Sequence, residues 1–201
     1  MSTKYFNLSQ CIYSGTAVRK NISNKPGVDQ NENPKLSPDF IINNIHNLMA
    51  YCVNPIKDKF PKLTITSVYR SNNLNKNIKG ASLTSQHRFG YAADIVDLGG
   101  EKTSTIFNWV INNIPEFDRV IWEDPGLGPF RGWGKDSSWI HISYRAGNNR
   151  NKKTLFTKKL RKLHEKYGNT PSPAGYSHGI SKANEEWLEE FPGYPQIHTK
   201  K

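Results

Sequence analysis

Two short segments of this 201-residue chain each set one ionisable side chain between apolar neighbours: Ala92-Ala93-Asp94-Ile95-Val96 and Trp139-Ile140-His141-Ile142-Ser143. Side chains alternate between the two faces of a β-strand. If Ala93 and Ile95 take the core face, Asp94 points the other way. If Ile140 and Ile142 take it, His141 and Ser143 do the same. Paired as adjacent antiparallel strands, the two segments set Asp94 and His141 side by side, and this fixes which face of the sheet is core. Just upstream, Ser85-Gln86-His87-Arg88-Phe89-Gly90 brings a second imidazole, and Gly90 permits a turn that folds His87 back over the pair. Imidazole and carboxylate suit zinc, and three protein ligands leave one position open, as in catalytic rather than structural sites. His87, Asp94 and His141 are the candidate metal ligands.

The surrounding pattern predicts an α+β fold: a small antiparallel sheet carrying the zinc site, packed with two main helices, plus a basic C-terminal appendage. Ser37-Pro38-Asp39 is a helix start, with a hydroxyl N-cap, Pro at the first helical position and an acid in the first turn. Ile41, Ile42, Ile45, Leu48, Met49, Cys52, Val53 and Ile56 follow at helical spacing, and Pro55 bends or ends this helix. A second helix is expected over Thr103–Ile114. Strands are expected over Leu63–Arg70, Ala92–Leu98, Arg119–Glu123 and Trp139–Tyr144. Residues 1–35 carry little periodicity, and Asn21–Pro34 reads as a long polar surface loop. The catalytic domain is placed at 1–145. Residues 146–201 form the appendage, with a basic helix within Asn148–Lys166 marked by Leu155, Phe156, Leu160 and Leu163, then a Pro/Gly-rich tail.

Net charge is +11 and the pI near 9.6, so the surface favours polyanions. The basic segment 150–166 shows no aromatic stacking platform, so nucleic acid is disfavoured as partner and anionic wall polymers remain. Cys11 and Cys52 lack metal-site spacing and are expected as buried, reduced thiols. No apolar run approaches the roughly 20 residues of a membrane span. The N-terminus has no apolar stretch of the signal-peptide type. His46, His164, His178 and His198 have no partners at ligand spacing and are read as surface or core residues.

Hydrolysis at such a metal needs a carboxylate to move the water proton to the leaving group. Glu123, closing Phe117-Asp118-Arg119-Val120-Ile121-Trp122-Glu123, ends a strand near the expected site face; Asp124 and Asp136 are its rivals. Arg70, in Ser67-Val68-Tyr69-Arg70-Ser71, is placed to hold a substrate carboxylate or a developing oxyanion with its planar fork.

The ordered series S-x-Y-R-S, S-x-H-x-x-G-x-A-x-D, F-D-x-x-I-x-E and W-x-H, spanning roughly residues 5–145, resembles the M15 peptidases. These are zinc D-alanyl-D-alanine carboxypeptidases and L-alanyl-D-glutamate endopeptidases, phage endolysins among them, and hedgehog signalling domains share the fold. By position, the resemblance implies that His87, Asp94 and His141 bind zinc, that Arg70 stabilises substrate and that Ser85 belongs to the first motif. Ser85, Arg70 and Trp139 are the candidate substrate-binding residues. One departure stands out: many members carry their catalytic acid three residues before the last histidine, where this chain has Ser138. Others place a histidine two residues before it, where this chain has Trp139. The F-D-x-x-I-x-E segment resembles the branch in which the acid comes from the preceding strand, which points to Glu123.

The expected function is that of a zinc peptidase cutting peptidoglycan stem peptides, made in the host cytoplasm and acting on the wall after release or as part of a virion. Bacterial peptidoglycan peptides are the expected partners, with anionic wall polymers or virion proteins alongside. The competing reading is a non-catalytic zinc-binding module that keeps the fold.

Overall fold

The computed structural model describes residues 3–123 and 138–156. Its frame is a five-stranded sheet in the order β1-β2-β4-β3-β5, with β1 Leu63–Ser67, β2 Ala92–Asp97, β3 Arg119–Glu123, β4 Trp139–Ser143 and β5 Lys152–Phe156. The first four pair antiparallel, and β5 runs parallel to β3 at the edge. The helices are α1 Leu8–Ile12, α2 Gly15–Arg19, α3 Pro38–Leu48, α4 Asn54–Lys59, α5 Asn72–Lys76 and α6 Thr103–Asn113.

The long amphipathic run forms as its periodicity predicts. The Ser37 side chain accepts from the Phe40 N–H, and Pro38 occupies the first turn. Where the run meets Pro55 the chain neither breaks nor kinks into a loop. A π-helical turn over Met49–Val53 intervenes, with the Asn54 N–H reaching back to the Met49 carbonyl, and α4 restarts with Pro55 in its first turn. There the missing proline N–H costs no helical bond. Ile41, Ile45, Leu48, Cys52 and Ile56 from this run meet Phe107 and Val110 of α6 in one core. Ala93 and Ile95 of β2, Val120 of β3, and Ile140 and Ile142 of β4 complete it. The alternation within β2 and β4 thus resolves as expected. Cys11 and Cys52 are buried and unpaired; burial raises both thiols, that of Cys11 to about 12, so both stay protonated and inert.

Three expectations change. β1 stops at Ser67, after a register shift between Ile65 and Ser67, and this frees Val68–Arg70 to turn toward the site. The Asn21–Pro34 loop has no helix or strand, as predicted, but its inner side is buried and polar. Asn24 donates to the carbonyls of Ile12 (2.7 Å) and Tyr69 (3.0 Å) and accepts from the Ser71 N–H (2.7 Å). Asp29 accepts from the Asn72 N–H at 2.6 Å. The loop therefore clamps the backbone on both sides of Arg70. Finally, residues 152–156, expected within a basic helix, form β5 instead. Pairing with β3 supplies backbone partners that the weak helical stripe could not anticipate, and lysines suit an edge strand. The remainder of that helix and the Pro/Gly-rich tail lie outside the described residues.

Gly90 ties the helical layer to the site. It adopts φ +70°, and a Cβ there would lie 2.7 Å from the Ile41 carbonyl oxygen of α3 and 3.0 Å from Ile45 Cγ1. Gly90→Ala is expected to destabilise the protein by about 1–3 kcal/mol, from left-handed strain plus a backbone clash, read as a lowered denaturant midpoint at constant slope.

Candidate metal centre

The middle of the sheet sets the site. β2 and β4 place Asp94 opposite His141, and β3 and β4 place Ile121 opposite His141 and Glu123 opposite Trp139. Directly paired residues share a face, so Asp94, His141, Ile121, Trp139 and Glu123 all lie on the face away from the helical core. His87 arrives from a 3₁₀ turn, Gln86–Phe89, that ends at Gly90.

His87, Asp94 and His141 are all buried, and among the described residues they form the one group of this kind whose ligand atoms lie within 4.8 Å of one another. His87 Nε2 is 3.2 Å from His141 Nδ1 and 3.2 Å from Asp94 Oδ1, and His141 Nδ1 is 3.0 Å from Asp94 Oδ1. A tetrahedral zinc with bonds of about 2.0–2.1 Å has ligand–ligand edges of about 3.3 Å, so the triangle is of the right size. The other nitrogen of His87, Nδ1, is 2.7 Å from the Val68 carbonyl. It donates there, which fixes the tautomer and turns the Nε2 lone pair inward, a typical support for a metal-binding histidine.

Electrostatics favour the same state. Burial opposes ionisation of Asp94, but His87, His141 and Arg70 outweigh it and hold the carboxyl well below its usual range. Burial pushes the His87 imidazole below its ordinary 6.5, against the pull of Asp94. Near neutral pH both groups are thus in the forms a cation requires. His87 Nε2, Asp94 Oδ1 and His141 Nδ1 converge in a buried space, and two imidazoles with one carboxylate are a donor set that fits zinc.

Arg70 reaches the site by a contact the sequence did not suggest. Its Nη2 lies 2.5 Å from Asp94 Oδ2 and its Nε donates to Ser67 Oγ at 2.8 Å. It therefore holds the second oxygen of Asp94 and leaves Oδ1 to the metal position. Ser85 precedes the His87 turn without capping it, and Trp139 is half-buried beside Glu123 on the site face. Ser138 is buried, and its hydroxyl accepts from the Trp122 indole at 3.0 Å. Trp122 is a core residue, so the Ser138 hydroxyl is turned toward the helical side of the sheet. Asp124 and Asp136 lie outside the described residues, as do His164, His178 and His198; His46 is exposed. The sequence reading missed Val68, whose contribution is a backbone carbonyl, and Asn24, whose contacts span more than forty residues.

A mixed sheet with a buried His–Asp–His set on one face, backed by a helical layer, is a fold and site compatible with a zinc centre. The sequence profile described as Peptidase M15 matches residues 12–143, more than half of the chain, and the chain belongs to the M15 peptidase family. M15 peptidases are zinc-dependent, and the three-residue cluster supplies the ligand set such an enzyme needs. No curated protein matches the chain. Among the described residues, no helix is long and apolar enough to cross a membrane.

Proposed function

We propose that the protein hydrolyses peptide bonds in the stem peptides of bacterial peptidoglycan, with His87, Asp94 and His141 holding zinc, Glu123 as general base and acid, and Arg70 as the anion-holding group. The observation that carries this reading is the register of β3 on β4. Glu123 and His141 are diagonal neighbours on one sheet face, about 7–8 Å apart between Cα atoms, which brings a carboxylate within reach of a water beside the ligand triangle. Bound zinc supplies Lewis acidity toward that water and toward the scissile carbonyl. Glu123 takes the proton from the attacking water and passes it to the amine as the C–N bond breaks. Arg70, already fixed by Ser67 and Asp94, offers its remaining N–H groups to a substrate carboxylate or to the oxyanion. Trp139, on the site face beside Glu123, and Ser85, which precedes the His87 turn, are the residues assigned to contact the peptide.

The net charge of +11 supports a polyanionic setting such as a bacterial wall, reached after release from a host cell or on a virion. Against a non-catalytic module, Glu123 on the site face offers a carboxylate from the neighbouring strand in place of the acid missing at Ser138.

Purified peptidoglycan incubated with zinc-loaded protein is expected to release or shorten stem peptides, visible by mass spectrometry and suppressed by a chelator. The mass of the product separates loss of one terminal residue from internal cleavage. Intact stem peptides after exhaustive digestion by zinc-loaded protein would overturn the proposal.

A further inference from the structure

Beside the metal triangle stands a polar cluster that the chemistry above does not use. Asp118, the residue before β3, has a side chain with 0% exposure, yet both of its oxygens are occupied. Arg150 donates Nε to Oδ1 at 2.7 Å and Nη2 to Oδ2 at 2.6 Å, a two-pronged grip. Gln86 donates Nε2 to Oδ2 at 2.7 Å. The Asp118 backbone is equally committed: its N–H donates to the Ser143 carbonyl at 2.7 Å, and its carbonyl accepts from the Lys152 N–H at 3.1 Å. Asp118 thus sits where β3, β4 and β5 meet. Gln86 is the first residue of the 3₁₀ turn and the covalent neighbour of His87.

We infer that Gln86, Asp118 and Arg150 form a positioning chain for the metal ligand His87, which makes metal affinity depend on the segment that follows β4. The inference rests on the zinc reading of the site. The backbone of the His87 turn is held by the Arg70 N–H on the His87 carbonyl at 3.1 Å and by Asn44 on the Phe89 carbonyl at 2.9 Å, and two side-chain contacts complete the hold. Val68 fixes the imidazole through Nδ1, and Asp118 fixes the start of the turn through Gln86. Without the grip on Gln86 the start of the turn keeps only its backbone bonds, and the aim of the Nε2 lone pair at the triangle loosens. Arg150 makes the grip rigid, because it orients the carboxylate that Gln86 meets. Arg150 lies beyond residue 145, so a chain cut at that point would keep all three ligands and lose their support. None of the three side chains touches the metal position; each acts through His87.

The test is the zinc affinity of folded protein, measured by competition with a chromophoric chelator, with far-UV circular dichroism confirming the fold. Gln86→Ala leaves Asp118 paired with Arg150, so the buried charge stays compensated. It is expected to weaken zinc binding about tenfold, the lower end of what outer partners of a metal site contribute. Arg150→Ala is expected to weaken it at least as much, and Arg150→Lys, with one prong in place of two, to fall between. The double variant Gln86→Ala/Arg150→Ala is expected to show little more than the larger single effect, because both act through one carboxylate. A Gln86→Ala affinity within twofold of wild type, or fully additive losses in the double variant, would sink the inference while leaving the zinc reading intact. Failure of the wild-type protein to bind zinc would overturn both.

Discussion

Glu123→Gln is expected to lower peptide hydrolysis by about 10²–10⁴-fold while zinc remains bound at wild-type stoichiometry. The substitution keeps the size and planarity of the side chain and removes only its capacity to accept a proton. Glu123 is paired with Trp139 across the β3–β4 ladder, so the amide holds the same place on the site face. The three candidate ligands keep their own anchors, His87 on the Val68 carbonyl and Asp94 on Arg70. Loss of turnover with retained metal therefore isolates proton transfer from metal binding. Single-turnover rates and metal content of the same sample check it. A Glu123→Gln protein within threefold of wild type would move the base to another carboxylate, with Asp124 and Asp136 next in line.

The reach of the sequence follows the range of the forces involved. Asp94 beside His141 was legible because strand alternation is local and each polar residue stood alone between apolar neighbours; the register then had one solution that buried Ala93, Ile95, Ile140 and Ile142 together. The α3 start was legible because Ser37, Pro38 and Asp39 report directly on the unpaired N–H groups of a helix end. Other features depend on contacts with no local signature. The two-sided clamp of Asn24 on Tyr69 and Ser71 joins residues 45 and 47 positions apart. β5 is a strand because β3 offers it an open edge, while its own sequence reads equally as a helix. Asp118 was visible within F-D-x-x-I-x-E, yet its partners Gln86 and Arg150 each stand 32 positions away. The Ser138 departure was legible as a fact, but the bond that turns its hydroxyl toward Trp122 in the core was not.

Adding zinc to the metal-free protein is expected to raise its thermal midpoint by about 10 °C, and His141→Ala is expected to erase that increment. The physical reason lies in the triangle. Asp94 Oδ1 and His87 Nε2 face each other at 3.2 Å, and His141 Nδ1 closes the set at 3.0–3.2 Å. A buried group of acceptors is costly unless a positive charge joins it, and Arg70 satisfies only the outer oxygen of Asp94. A cation bound to this set binds the folded state alone. At a free metal concentration of about 1,000 Kd the linkage contributes about 4 kcal/mol, and a domain of this size gains about 2–4 °C per kcal/mol. His141→Ala opens the triangle and leaves two ligands, too few to hold the ion at that concentration. Calorimetric scans of both proteins, with zinc and with chelator, read the difference directly. A zinc-induced rise of equal size in wild type and His141→Ala would place the stabilising ion somewhere other than between β2, β4 and the His87 turn.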